Sequence, residues 1–192
     1  MSNIIATTPA KDDSAVTAAV FLDRDGVINR KAAEGAYVTR WEEFQFLPGV
    51  ARAISLLNRA GWSVIVISNQ RCVAKGLLTI AELESIHRRM REALAGEGAR
   101  LDAIYYCPHD KDSPCDCRKP LPGMLLTAAE KHQIDLKSSW MVGDADSDME
   151  AGRSAGCRTL RIIETPPTQG TSANCFAQTL FDASGKILAS GR

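Results

Sequence analysis

Short apolar runs rich in β-branched residues alternate along the chain with segments in which apolar residues recur at helical spacing. The predicted strands are residues 18–22, 63–67, 103–106, 140–142 and 158–163. The predicted helices are residues 48–60, a segment that opens at Thr79 and includes Leu94, and residues 122–132 and 148–155. Because continuous apolar strands separated by helices are typical of a parallel sheet covered on both faces, we predict an α/β fold with a doubly wound parallel sheet in three layers.

The length of 192 residues suits one ordinary domain, and we expect residues 18–192 to form it. Residues 1–17 are predicted to be a flexible tail, and residues 166–174 a linker-like loop. Residues 175–190 are expected to add one short strand and a terminal helix. Residues 27–47, between the first strand and the first helix, are too few for a separate cap domain.

The overall composition narrows the possible classes of function. Hydrophobic residues make up 45% of the chain and charged residues 24%, as in an ordinary globular protein. The 23 basic and 23 acidic residues balance, and this disfavours a nucleic-acid-binding role. The longest nearly apolar stretch, 15–22, is far shorter than the roughly 20 residues of a membrane span, and residues 1–17 lack a secretory signal. We therefore expect a cytoplasmic monomer that contacts no membrane and keeps its cysteines reduced.

Polar side chains follow the predicted strands at the carboxyl ends, where a doubly wound sheet binds its ligands. Asp23 and Asp25 come directly after the first strand, and Gly26 permits a sharp turn there. Asp144 follows the fourth strand. Three carboxylates at one edge of the sheet suit a hard cation such as Mg²⁺, which would draw a phosphate group into the site.

Other side chains at the same edge suit a phosphate group. Ser68 and the backbone amides of Asn69 and Gln70 follow the second strand and are predicted to hold phosphoryl oxygens, while Lys119 neutralises charge near the acids. Mg²⁺ and a lysine are groups that phosphoryl transfer uses. One carboxylate would attack phosphorus while the other acts as acid and then base. Each piece alone is common in turns, but all of them in this order favour function.

Three cysteines and one histidine lie close together in residues 107–117. Their spacing is Cys107-x-His109-x₅-Cys115-x-Cys117, which supplies the four tetrahedral ligands of a structural Zn²⁺ site. The alternative is a set of free or disulfide-linked thiols on a surface loop. The other histidines, His87 and His132, lie in helical patterns and are assigned to a helix surface or a helix end.

Four motifs, FLDRDG, SNQ, RKPLPGM and VGDADSDMEAG, together resemble the haloacid dehalogenase superfamily over about residues 18–165. The resemblance implies the strand order 5-4-1-2-3. It also implies that Asp23 is the nucleophile that forms an aspartyl-phosphate, and that Asp25 is the general acid and base. The implied Mg²⁺ ligands are the carboxylates of Asp23 and Asp144 and the main-chain carbonyl of Asp25. The implied phosphate and substrate contacts are Ser68, Asn69, Lys119 and Arg118.

The stretches YYCPH and CDCRKP resemble, more narrowly, the heptose bisphosphate phosphatases and their histidinol-phosphate phosphatase relatives. This implies removal of the 7-phosphate of D-glycero-D-manno-heptose 1,7-bisphosphate, a step of lipopolysaccharide-core or nucleotide-activated heptose biosynthesis. The sequence departs from the pattern at two places. Ala145 stands where some members carry lysine, so Lys119 would carry more of the charge neutralisation, and Cys72 stands where a small residue is usual.

Three rival functions remain open at this point. Histidinol phosphate is the alternative substrate, and acids on nearby loops, Asp110, Asp112 and Asp116, would accept its amine. A rim of Arg118, Arg71 and Lys75 instead favours the second phosphate of a bisphosphate. A non-catalytic phospho-receiver or regulatory binding module is disfavoured because its phosphorylated Asp follows the third strand, where this chain has Cys107. A phosphatase of nucleic-acid ends is disfavoured by the zero net charge.

Overall fold

A computed structural model of the chain describes residues 17–163 and 175–191, in which six strands form one sheet. The strands are β1 Ala19–Leu22, β2 Ser63–Asn69, β3 Ala103–Cys107, β4 Trp140–Gly143, β5 Arg158–Ile162 and β6 Cys175–Ala177. The helices are α1 Val50–Arg59, α2 Arg71–Ala74, α3 Ile80–Gly96, α4 Gly123–His132, α5 Asp146–Ser154 and α6 Leu180–Ser190. All neighbouring strands are parallel, in the order β3-β2-β1-β4-β5-β6.

Helices cover both faces of this sheet, which confirms the predicted three layers. Alternate residues of β1 enter different cores, because side chains of a strand point to opposite faces. Val20 and Leu22 pack with α1, α3 and α6, whereas Ala19 and Phe21 pack with α4 and α5. Because β1 lies between β2 and β4, the residues that follow these three strands meet at one edge.

The predicted strand order is confirmed, and the predicted terminal strand and helix correspond to β6 and α6. Helix α5 begins at Asp146, two residues before its predicted start at Asp148. The side chain of Asp148 accepts a hydrogen bond from the N–H of Ala145, the residue that precedes the helix. Asp148 is therefore the third residue of the first turn and not its first residue. The short helix α2 is a further element that the apolar pattern did not reveal.

The segment 27–47 contains no separate cap domain, as predicted. A 3₁₀ turn at Trp41–Glu43 is its only regular element apart from isolated bridges. The predicted linker 166–174 and residues 1–16 of the predicted tail lie outside the described residues. Thr17, the last residue of that tail, forms a parallel bridge with Ile134. None of the helices in the described part of the chain has the length and apolar character that a bilayer crossing requires.

Candidate active site and metal centres

A buried lysine connects three elements of the site. Lys119 lies in the loop before α4 and is 4% exposed. Its ammonium group donates to Asp23 Oδ1 at 2.8 Å and to the carbonyl of Ile67 at 2.8 Å, and it forms an ion pair with Asp148 Oδ1 at 2.6 Å. These three acceptors use all three N–H donors of a lysine. The side chain is therefore held in one position against β1, β2 and α5.

Asp148 is a site residue that the sequence analysis missed. It reaches the site because α5 packs closely on the end of β4, where a Cβ on Gly143 would lie 2.2 Å from the Cβ of Asp148. Its Oδ2 accepts from Ala145 N at 3.0 Å, which satisfies one of the unpaired donors at the helix N-terminus. The available signal was its position four residues after Asp144, across a strand-to-helix turn.

The acids of this cluster carry perturbed pKa values. The pKa of Asp23 is raised to about 7, because burial, with a smaller contribution from the charges of Asp148 and Asp25, outweighs the lowering effect of Lys119. Burial also raises the pKa of Asp144. Burial alone would lower the pKa of Lys119, but Asp148 and Asp23 outweigh it and raise this pKa above its ordinary value. The cluster therefore holds more buried acid than one lysine balances, and a further cation would stabilise its ionised form.

The donor set fits a divalent cation. Carboxylate oxygens of Asp23, Asp144 and Asp148 lie within 4.8 Å of one another. Asp144 Oδ1 is buried and has no hydrogen-bond partner among the described residues. Gly26 leaves space beside this carboxylate, since a Cβ there would lie 2.3 Å from Asp144 Oδ2. Oxygen ligands of this kind are the ones that Mg²⁺ prefers.

A second lysine approaches the same acids from the loop after β1. Lys31 forms an ion pair with Asp144 Oδ2 while its side chain remains 52% exposed. Burial alone would lower its pKa, but the hydrogen bond and charge of Asp144 raise it. Lys31 thus adds positive charge at Asp144, whereas Lys119 pairs with Asp23 and Asp148. The sequence pattern did not predict Lys31 as a residue of this site.

Asp25 is held by three side chains. Arg24 Nη2 donates to both of its carboxylate oxygens, at 3.1 and 2.9 Å. Asn29 donates to Oδ1 at 2.8 Å and Gln70 to Oδ2 at 3.2 Å. Burial by itself would raise the pKa of Asp25, but the charge of Arg24 and these hydrogen bonds lower it below its ordinary value. The carboxylate is therefore ionised in the resting protein, and 28% of its side chain is exposed.

The residues after β2 take part in the site in different ways. Ser68 is 1% exposed, and its hydroxyl accepts from Gln70 Nε2 at 2.7 Å. The backbone amide of Gln70 donates to Cys107 O, so this expected phosphate donor already has an acceptor. The side chain of Asn69 exchanges two hydrogen bonds with the backbone of Lys119, at 3.0 and 3.1 Å. Asn69 thereby fixes the loop that carries the buried lysine.

A cleft of about 410 Å³ opens beside Lys119. It is lined by Asn69, Lys111, Ser113, Cys115, Arg118, Lys119, Pro120, Leu121 and Ser147. Arg118 donates to the carbonyl of His109 at 3.1 Å. No carboxylate of the described residues forms an ion pair with Arg118 or Lys111. Both cations are thus available to a charged group in the cleft.

The other two cations of the predicted rim are already engaged. Arg71 forms an ion pair with Asp110, which links α2 to the loop after β3. The Lys75 ammonium lies 5.1 Å from the centroid of the Tyr37 ring. Of the predicted rim, Arg118 is therefore the cation that lines the cleft.

The predicted zinc ligands converge after β3. Potential ligand atoms of Cys107, His109, Cys115 and Cys117 all lie within 4.8 Å of one another. His109 Nδ1 is 3.4 Å from the sulfur atoms of Cys107 and Cys117. All four residues fit the donor set of a closed tetrahedral Zn²⁺ site. The cysteines are free thiols, which argues against the disulfide alternative.

Comparisons with known proteins match this architecture. A family model for HAD-hydrolase-like proteins matches residues 116–163. The D-glycero-β-D-manno-heptose-1,7-bisphosphate 7-phosphatase of Pseudomonas putida is 44% identical over 165 residues, which are 85% of this chain and 93% of that protein. The chain belongs to the heptose bisphosphate phosphatase family of HAD-like hydrolases.

Other members of the heptose bisphosphate phosphatase family agree with this placement. The enzyme of the same name from Escherichia coli K12 is 40% identical over 154 residues, 77% of this chain and 79% of that protein. The crystal structure of the D,D-heptose 1,7-bisphosphate phosphatase of Bordetella bronchiseptica, complexed with magnesium and phosphate, aligns with a TM-score of 0.82 at 34% identity. The alignment covers 91% of this chain and 100% of that chain.

Two buried residues of this heptose bisphosphate phosphatase family member were not predicted to belong to the site. His87 was assigned to a helix surface or a helix end, but it is 5% exposed. Its ring lies against Arg24, which is 1% exposed and contacts Asp25. His87 lies four residues after Leu83 and three before Met90, so helical periodicity places it on the apolar face of α3, and that spacing was the signal for its burial.

Proposed function

We propose that this chain is a Mg²⁺-dependent phosphatase that removes the 7-phosphate of D-glycero-D-manno-heptose 1,7-bisphosphate. The observation that carries the proposal is the arrangement of Asp23, Lys119 and Asp148, buried beneath an acidic edge that also holds Asp144. Family membership supports the same reaction, since relatives at 40–44% identity bear that name. The reaction is proposed to proceed in two displacements on phosphorus.

In the first displacement, a carboxylate oxygen of Asp23 attacks phosphorus, and the bond between phosphorus and the sugar oxygen breaks. The product is an aspartyl-phosphate on Asp23 and an alcohol. Lys119, at 2.8 Å from Asp23 Oδ1, favours the ionised form of this buried carboxyl and balances charge on the transferring group. Ser68 and the amide of Asn69 are the proposed contacts of the phosphoryl oxygens, and Arg118 is the proposed contact of the remaining substrate.

Asp25 is the proposed acid and base. It gives a proton to the sugar oxygen as that oxygen leaves, and it then takes a proton from the water that attacks the aspartyl-phosphate. Arg24 and Asn29 favour the ionised form that the second step needs. The dianionic phosphate of a bound substrate shifts the balance toward the protonated form, because a nearby like charge disfavours ionisation.

The proposed Mg²⁺ ligands are the carboxylates of Asp23 and Asp144 and the main-chain carbonyl of Asp25, with Asp148 beside them. When bound, the ion offsets the negative charge of the acids and of the phosphate group, which would otherwise repel each other. Lys31 forms an ion pair with Asp144 at this position, so the cation would compete with Lys31 for that carboxylate.

Zn²⁺ is proposed as a structural ion held by Cys107, His109, Cys115 and Cys117. A closed site with four protein ligands leaves no position for an activated water. Its proposed role is to shape the loop that leads to Arg118, whose guanidinium already donates to the carbonyl of His109.

The cleft supports a bisphosphate over histidinol phosphate. Arg118 and Lys111 line it without a carboxylate partner among the described residues, and Arg suits a remote phosphate because it binds two oxygens at once. Asp110, which would accept the amine of histidinol phosphate, is already paired with Arg71. The residues that line the cleft include three cationic side chains, and Asp110, Asp112 and Asp116 are not among them.

The test is a comparison of kcat/KM for the heptose bisphosphate and for histidinol phosphate, each with and without Mg²⁺. We expect a higher value for the bisphosphate and no turnover of either substrate without the metal ion. Arg118→Ala should reduce the value for the bisphosphate more than the value for a sugar monophosphate. Lys137→Met, which changes an exposed lysine away from the cleft, is the control and should leave both values unchanged.

A higher kcat/KM for histidinol phosphate would overturn the substrate assignment and leave the phosphatase reaction standing. Equal losses for the two sugar phosphates would mean that Arg118 holds only the reacting phosphate or the loop.

A further inference from the structure

A guanidinium group is buried directly behind the proposed acid and base. Arg24 is 1% exposed and donates to both oxygens of Asp25 through Nη2. Its other terminal nitrogen, Nη1, lies 3.3 Å from His87 Nε2. Burying a guanidinium is costly unless its partners are well placed. The proposed reaction gives Arg24 no contact with substrate, so its burial needs another explanation.

His87 fixes the far side of this guanidinium. The histidine lies on α3, is 5% exposed, and its ring centroid is 5.5 Å from that of Tyr106. Arginine has no acceptor atom, so the contact with Nη1 requires an unprotonated Nε2 that accepts. Burial and the positive charge of Arg24 both lower the pKa of His87, in agreement with a neutral ring. The histidine is thus a buried acceptor on α3.

Hydrogen bonds from three side chains fix the orientation of the Asp25 carboxylate plane. Arg24 reaches it from behind, while Asn29 and Gln70 donate to one oxygen each, at 2.8 and 3.2 Å. Asn29 and Gln70 belong to the loops after β1 and β2. The connection through Arg24 to His87 links the carboxylate to helix α3.

We propose that Arg24, seated on His87, is a positioning residue that holds the carboxylate of Asp25 in the orientation from which it transfers protons. This inference rests on the proposed function, because it assigns Asp25 the acid–base role. It predicts that the pair acts on proton transfer and leaves the attack by Asp23 intact. The two steps are separable with a substrate whose leaving group needs no proton.

The experiment compares two substrates in the Mg²⁺-loaded full chain. The first is the heptose bisphosphate, whose alcohol must be protonated as it leaves. The second is p-nitrophenyl phosphate, whose phenolate leaves without a proton, so its first turnover reports the attack by Asp23 alone. Steady-state turnover then reports hydrolysis of the aspartyl-phosphate, in which Asp25 acts as base.

For Arg24→Met we expect turnover of the heptose bisphosphate to fall by about 10–10²-fold, the loss that a misplaced catalytic group typically causes. The rate of the first p-nitrophenolate release should remain within about threefold of the wild-type rate, and a burst of about one product per site should appear as aspartyl-phosphate accumulates. His87→Leu should give the same pattern with a smaller loss. His87→Gln, which restores an acceptor, should recover most of the turnover.

Parallel losses in the burst and in heptose bisphosphate turnover would show that Arg24 is merely structural, and no loss in either would remove it from the reaction. Equal turnover in His87→Leu and His87→Gln would also overturn the inference, and that pair decides the matter if Arg24→Met does not fold. Asp25→Asn serves as the reference. If the burst and the steady-state turnover fall together in Asp25→Asn, the acid–base assignment itself is wrong. If the burst persists while turnover falls in Asp25→Asn but not in Arg24→Met, only the positioning role of Arg24 is wrong.

Discussion

Replacing Lys119 by methionine removes the buried positive charge of the site while keeping a side chain of similar length. In the wild-type protein its ammonium group has three acceptors, including Asp23 Oδ1 at 2.8 Å and Asp148 Oδ1 at 2.6 Å. The lysine side chain is 2% exposed and that of Asp148 1%. The substitution therefore leaves two largely buried carboxyl groups without their common cation.

The expected loss of stability follows from this burial. Removing one partner of a buried ion pair typically costs about 3–5 kcal/mol. For a domain of this size, each kcal/mol lowers Tm by about 2–4 °C, so we expect Tm to fall by roughly 6–20 °C in the presence of a chelator. Mg²⁺ should restore more stability to Lys119→Met than it adds to the wild-type protein, because the ion replaces part of the missing charge.

The assay is thermal unfolding of both proteins with chelator and with Mg²⁺, followed by circular dichroism. Lys111→Met is the matched control, and it should leave Tm unchanged because Lys111 lies on the same loop but is exposed.

The pKa of Asp23 is raised to about 7, so the folded protein binds this proton more tightly than the unfolded chain does. The contribution of Asp23 to stability therefore decreases as pH rises from about 4 to 7. In Lys119→Met, which lacks the cation beside Asp23, this decrease should be larger. The difference in Tm between Lys119→Met and the wild-type protein should therefore be smaller at pH 5.5 than at pH 8. If Lys119→Met is as stable as the wild-type protein in chelator at pH 8, the reasoning about the buried charge cluster is refuted.

Three further predictions concern the nucleophile and the metal sites. Asp23→Asn should abolish turnover without unfolding the protein, because the attacking oxygen is lost; near-normal activity would overturn the mechanism. Metal analysis should find about one zinc ion per chain, and Cys115→Ser combined with Cys117→Ser should release it; a disulfide within the cluster in freshly reduced protein would count against zinc. Lys31→Met should lower the Mg²⁺ concentration for half-maximal binding by about two- to tenfold, since a competing charge leaves Asp144. Lys137→Met should leave this concentration unchanged, and a higher concentration for Lys31→Met would contradict the competition.

The predictable part of the site is the part that local sequence encodes. Asp23 and Asp144 each follow a buried apolar run directly, so an expected parallel sheet brings them together before any contact is known. The zinc ligands lie within eleven residues, close enough for spacing alone to identify them. These inferences needed only periodicity, chain order and ligand chemistry.

The remainder depends on how separate elements pack. Arg24 and His87 are 63 residues apart, and their contact exists only because α3 packs against the loop after β1. Asp148 belongs to the site because Gly143 lets α5 approach the end of β4, an effect of backbone distance that composition does not reveal. Arg71 looked like a substrate contact in the sequence, yet its charge is paired with Asp110 in the fold.

The most direct test of the proposed function is ³¹P NMR of the wild-type protein acting on D-glycero-D-manno-heptose 1,7-bisphosphate with Mg²⁺. We expect the signal of the 7-phosphate to be replaced by inorganic phosphate while the signal of the anomeric phosphate persists. Asp23→Asn, measured in parallel, should leave both signals unchanged. Loss of the anomeric phosphate first, or no release of phosphate by the Mg²⁺-loaded wild-type protein, would contradict the account.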